Sequence, residues 1–168
     1  MVILELIKSR RSVRKFEPDK VPGEDMVNAA IEAACWAPSG LNNQPWAFAV
    51  VTKQEAKDAM SGLTHYGSII KSAPVLIAVF LDNTKTYDRT KDCMAIGACI
   101  QNMLLFIHSA GLGAVWMGEI LRSKEKVAEA INAPAQMELM AVVAMGYPQG
   151  NAGKGKRRDV SESVFYRE

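Results

Sequence analysis

The chain's 168 residues, 49% of them hydrophobic and 23% charged, suit one globular domain (1–168) with a real core and exclude a disordered protein. The net charge of +2 is too small to mark a nucleic-acid binder, and no apolar run approaches the ~20 residues of a membrane helix. Met1 to Arg11 is too short an apolar stretch for a secretory signal. Cys35, Cys93 and Cys99 show neither CxxC nor ligand-spaced His, so buried thiols in a reducing cytoplasm are expected, without a metal site.

Val2 to Ser9 reads as a short amphipathic helix with Ile3, Leu6 and Ile7 on one face. Arg10 to Pro18 is a basic loop and Val21-Pro22-Gly23 a turn. A helix runs from about Glu24 to Trp36, with acids in its first turn and Met26, Ala30, Ala33 and Ala34 as its buried stripe. Ala37 to Pro45 holds two prolines and four Ser, Asn or Gln residues and resists regular structure. Trp46 to Thr52 is an apolar strand, Gln54 to Ser61 a helix stopped by Gly62, and Pro74 to Leu81 a fully buried strand. The longest helix spans about Thr90 to Ala110, close to 30 Å, and Gly111-Leu112-Gly113 ends it. Its Gly97 and Ala98 permit close helix approach. Ala114 to Gly118 is extended, Ser123 caps a helix through Asn132, and Leu139 to Gly146 is a third apolar strand. Mixed helix and strand predicts an α/β or α+β fold.

Two short runs hold nine of the 20 Lys and Arg residues: Lys8, Arg10, Arg11, Arg14 and Lys15, then Lys154, Lys156, Arg157 and Arg158. Solvated flexible ends are the ordinary reading of such runs, and convergence on one anion is the sharper one. Arginine forks with the Ser12 hydroxyl between them suit a phosphate. Ala37-Pro38-Ser39-Gly40-Leu41-Asn42-Asn43-Gln44-Pro45-Trp46 offers amides and hydroxyls that both donate and accept, as a heterocycle's polar edge requires. Gly111-Leu112-Gly113-Ala114-Val115-Trp116 fails the dinucleotide fingerprint, because Trp116 replaces the third glycine and the segment follows a helix. His65 and His108 are isolated, and no nucleophile–base set is visible. That absence fits chemistry carried by a cofactor.

Together, RRSVRKF at 10–16, APSGLNNQPW at 37–46, GLGAVWMG at 111–118 and GYP followed by KGKRR at 146–158 resemble the nitroreductase family of FMN-dependent oxidoreductases. The resemblance implies an α+β sandwich around a mostly antiparallel sheet, with the long helix in the interface of a homodimer. It implies two FMN sites built from both subunits. By that resemblance Arg10 and Ser12, beside Arg11, contact the phosphate and ribityl region, and Arg14 sits by the pyrimidine edge. Pro38, Ser39, Asn42 and Gln44 line the site. Trp116, Met117 and Gly118 pass along the ring with a backbone N–H near N5, and Lys156 and Arg158 return to the phosphate.

The implied activity is hydride transfer from NADH or NADPH through the flavin to a small oxidised acceptor, such as a nitroaromatic or quinone, in a ping-pong cycle. No side chain acts as catalytic acid or base; Arg14 and the Met117 backbone support the flavin. The chain is short for the family, so the pocket's roof is expected from Thr64 to Ile70 or Asp82 to Arg89, or is absent. Rivals are oxygen or dehalogenation chemistry, a protein electron donor, or a flavin-binding module without turnover. Nucleic-acid binding by the basic runs would leave the amide-rich loop unexplained.

Overall fold

The computed structural model describes residues 2–168. Four strands form one sheet: β1 (Trp46–Val51), β2 (Val75–Asp82), β3 (Gly113–Met117) and β4 (Met137–Gly146), in the order β1-β2-β4-β3 with every neighbouring pair antiparallel. Alternation along β2 sends Val75, Ile77, Val79 and Leu81 to one face and Leu76, Ala78 and Phe80 to the other. Both faces are covered, so β2 is buried throughout.

On the first face lie α2 (Glu24–Cys35) and the 21-residue α5 (Arg89–Ser109), whose Ile96, Cys99, Ile100, Met103 and Ile107 meet the sheet. On the second lie α3 (Gln54–Ser61), α4 (Gly67–Ser72) and α6 (Lys124–Ala130), bringing Met60, Ile70 and Val127. The result is an α+β sandwich of three layers. Truncating a fully buried residue such as Met103 to Ala costs about 2–5 kcal/mol.

The ends of α5 are set by local chemistry. Asp88 caps it by accepting from the Lys91 N–H at 3.0 Å. Gly111, at φ +76°, closes it, with Gly111 N–H donating to His108 O and Leu112 N–H to Ile107 O. Asn132, at φ 53°, ends α6 in the same way.

Several expectations need correction. Ser123 makes no side-chain cap, because the 3-10 turn Glu119–Ser123 leads directly into α6 and its carbonyls serve the first N–H groups. In α2 the buried stripe is Val27, Ala30 and Ala34; Met26 and Ala33 are only half-buried. α1 (Ile3–Ser9) forms as expected, and on its apolar face Leu6 is half-buried while Ile3 and Ile7 are exposed. Cys35 is exposed at the end of α2, Cys93 is half-buried, and only Cys99 is buried, its thiol pushed up to about 12 by that burial. Among the described residues no helix is long and apolar enough to cross a membrane.

Candidate functional site

The arm 10–16 touches the outer edge of β3 at Ser12 and Val13 and then turns to pair with the segment that follows β4. Ser12 pairs with Ala114 in a parallel bridge, and the Val13 N–H donates to Ala114 O at 2.9 Å. Gly113 is required there, because a Cβ would collide with the Val13 side chain. Phe16 is buried and pairs with Pro148, fastening the other end of the arm. Beyond Ala114 no strand covers this edge of β3, which leaves Trp116 at an open sheet edge and Gly118 just past the strand's end. Arg14 reaches this stretch. It lines a cleft of about 140 Å³ with Tyr66, Ile69, Val115, Trp116, Met117, Gly118 and Glu119.

Arg10, Arg11 and Arg157 come together where the C-terminal tail meets the N-terminal arm. The Arg11 guanidinium donates to Lys8 O (2.6 Å), Arg10 O (2.8 Å) and Gly153 O (3.1 Å), which straps the C-terminal tail to the N-terminal arm. A Cβ on Gly155 would strike that guanidinium. Burial, then the charges of Arg157 and Arg11, hold Arg10 below the ordinary arginine range. Burial, then Arg10 and Arg11, lower His108, whose Nε2 lies 2.8 Å from Ser9 Oγ. Among the described residues no carboxylate lies within 4.0 Å of Arg10, Arg11, Arg14, Lys156, Arg157 or Arg158. Surface arginines in a cluster repel one another, so a group without counter-ions is disposed to take an anion.

The amide-rich loop lies elsewhere. Ser39 Oγ accepts from the Gln44 N–H at 3.0 Å, and Gln44 Nε2 donates to Asn42 O at 3.3 Å. The loop leads into β1 at Trp46, which is opposite Leu81 and hence level with Glu138 of β4. Met117 is opposite Val142, four residues further along β4, and on the other edge of the sheet. Three strand spacings and four residue rises separate the two places by about 20 Å. One chain therefore brings Arg14, Trp116, Met117 and Gly118 together, with Ser12 beside Ala114 and Arg10 and Arg11 further back on the same arm. It holds Pro38, Ser39, Asn42 and Gln44 apart from them.

Of the two segments expected to supply a roof, 64–70, which contains the helix α4, is the one that lines this cleft, through Tyr66 and Ile69. Glu119 accepts from Thr64 Oγ1 (2.6 Å), Arg122 (3.0 Å) and the His65 N–H (3.2 Å), and these bonds, that from Thr64 foremost, hold its carboxyl below the usual range. Tyr66 and Ile69 thereby overhang the cleft beside Arg14. A larger cavity of about 410 Å³ lies by α6; Glu138 in its lining is paired with Arg89 and Lys124, and the remaining charged groups there are the carboxylates Glu125 and Glu129.

The nitroreductase family profile matches residues 7–67 and 62–147. The chain belongs to the nitroreductase family. A nitroreductase of Desulfovibrio desulfuricans, provisionally so named and crystallised in complex with FMN, is 39% identical and superposes with a TM-score of 0.94 over 100% of this chain and 98% of its own. A Methanothermobacter thermautotrophicus protein, provisionally named NADH dehydrogenase/NAD(P)H nitroreductase, is 35% identical over 91% of this chain and 81% of its own. The iodotyrosine deiodinase of Thermotoga neapolitana is 29% identical over 95% of each.

Within this nitroreductase fold, motif reading missed some residues. Arg157 is the tail residue whose charge acts on Arg10, whereas Lys156 and Arg158 make no side-chain hydrogen bond or ion pair among the described residues. Asn43, Tyr66, Asp92 and Glu119 were also unmarked. Asn43 alone carried a signal, as the one amide of its motif left without a role.

Proposed function

We propose that this nitroreductase-family chain is an FMN-dependent oxidoreductase acting as a homodimer, which passes hydride from NADH or NADPH to a small oxidised acceptor such as a nitroaromatic or quinone. The observation that carries the reading is a counter-ion-free arginine cluster beside an uncovered strand edge, with the amide loop about 20 Å away on the opposite edge. The terminal phosphate of FMN, with a charge of about −1.5 to −2, matches that cluster. Arg10 and Ser12 hold it from the arm, with Lys156, Arg157 and Arg158 from the tail that Arg11 straps down. Trp116, Met117 and Gly118 offer backbone groups to the ring's polar edge. A cleft of about 140 Å³ is below the ~300 Å³ minimum of ordinary ligand pockets, so one chain supplies half a site. Pro38, Ser39, Asn42 and Gln44 of a second copy complete it.

When bound, FMN supplies the hydride-carrying centre between donor and acceptor. Arg14, a fixed cation beside the ring, favours negative charge on its pyrimidine side. The Met117–Gly118 backbone orients the ring's edge near N5. Tyr66 and Ile69, braced by Glu119, narrow the open face and exclude water. Glu119 spends its acceptors on Thr64, His65 and Arg122, so it is no free base. Donor and acceptor use the one open face of the ring in turn. The setting is the cytoplasm, where reducing conditions keep the exposed Cys35 as a thiol.

Absorption spectra of the purified protein under nitrogen test this. Flavin bands should bleach on adding NADH or NADPH and return with a nitroaromatic or quinone. The released flavin should be FMN; a colourless protein that takes up no FMN, or prefers FAD, defeats the reading. The deiodinase relative favours a second acceptor class, and iodotyrosine in place of the quinone tests it.

A further inference from the structure

The amide-rich loop is held by groups that belong to no motif. Leu41, Asn42 and Gln44 have φ values of 53°, 55° and 46°, and none is glycine. Non-glycine residues keep that left-handed conformation only where their surroundings impose it. Here the surroundings are the start of α5. Asp92, in the first turn, is fully buried. One carboxyl oxygen accepts from Asn43 Nδ2 at 2.7 Å; the other accepts from the backbone N–H groups of Tyr87 (3.1 Å) and Asp88 (3.2 Å). Asn43 Nδ2 also donates to Lys85 O at 2.9 Å, and its Oδ1 is buried without a partner among the described residues. Tyr87 closes the other side, where its hydroxyl occupies the space a Cβ on Gly40 would need. Asp92 thus joins the loop, the segment before α5 and α5 itself at one point.

We infer that Asp92 is a positioning residue for the flavin site of the partner subunit. It fastens, through Asn43, the loop that one subunit lends to the other, and this rests on the shared-site reading above. The chemistry requires a carboxyl at 92 facing an amide at 43. Asp92→Asn keeps the volume and leaves an acceptor for the Tyr87 and Asp88 N–H groups, but turns an NH2 toward Asn43 Nδ2. Asn43 cannot escape by flipping, since its Oδ1 would then face Lys85 O.

The test is fluorescence titration of the full-length apoprotein with FMN. Asp92→Asn homodimers should bind roughly ten-fold more weakly, with helix content and sedimentation unchanged. Mixed dimers then separate the roles. An Asp92→Asn chain paired with an Arg10→Ala chain has one site carrying neither defect and one carrying both. Half of its sites should therefore titrate with the parent's affinity. Asn42→Gly, which suits the left-handed backbone, paired with Arg10→Ala is the control for the shared site. If that control recovers a tight site and the Asp92→Asn pairing does not, Asp92 acts within its own subunit and the inference is overturned. If neither recovers one, the shared-site reading fails and takes the inference with it. Parent-like affinity in Asp92→Asn homodimers also overturns it. Should Asp92→Asn fail to fold, Asn43→Ala decides: weaker FMN binding, with recovery of one tight site beside Arg10→Ala, supports the proposal, and unchanged binding overturns it.

Discussion

Phe165 is fully exposed, and Val160, Val164 and Tyr166 around it are exposed as well. The tail that carries them has no regular structure apart from the short turn Val160–Ser163. A second subunit would give these side chains a surface. Burying one Phe contributes about 1.5–3 kcal/mol, and a two-fold dimer buries two copies. Phe165→Ala should therefore cost the dimer about 3–6 kcal/mol, or roughly two to four decades in its dissociation constant. Within one chain Phe165 is uncovered, so helix content should not change. Sedimentation velocity over a range of concentrations, recording protein and flavin absorbance together, measures both outcomes. The variant should dissociate at concentrations where the parent does not, and the dissociated chain should sediment without flavin. A variant that stays dimeric at the parent's affinity, or a monomer that keeps its FMN, would refute the reasoning.

Arg10→Ala and Arg157→Ala should each weaken FMN binding by at least ~1.5 kcal/mol, because each removes a charged partner of the phosphate, while Arg167→Ala should not. Isothermal titration with FMN compares the three, and equal affinities would show that the cluster is not the phosphate site. Glu138 is held at about 2, below its ordinary 4.5, by hydrogen bonds from Arg89 and Lys124. Its pairing stabilises the fold above pH 4.5 and is lost as pH falls toward 2. Both partners reach solvent, so the contribution at neutral pH is about 1 kcal/mol. Urea denaturation should show Glu138→Gln less stable than the parent by that amount, with the gap narrowing through this window; a gap that persists at its lower end would mean packing, not charge, is responsible.

Much of the local structure was legible in the sequence because its causes are local. The glycine that stops the helix 54–61, the continuous apolar run of β2 and the glycine that ends α5 each act within a few residues of themselves. The basic runs and the amide-rich segment could likewise be read as places for an anion and a heterocycle. α4 escaped notice because six residues without a side-chain cap leave too faint a pattern, and it is held by burying Ile69 and Ile70. The exposure of Cys35 could not be read from its apolar neighbours, since the end of α2 happens to face outward. Only the tertiary structure decided which residues share a place. Strand order puts the amide loop and Trp116 to Gly118 on opposite edges of the sheet, although both were assigned to one site. The Asn43–Asp92 bond joins positions 49 apart, and Arg11 reaches Gly153 across 142. Periodicity reports which face of an element is apolar. It does not report what that face, or a side chain beyond it, will meet, because that depends on how separate elements pack.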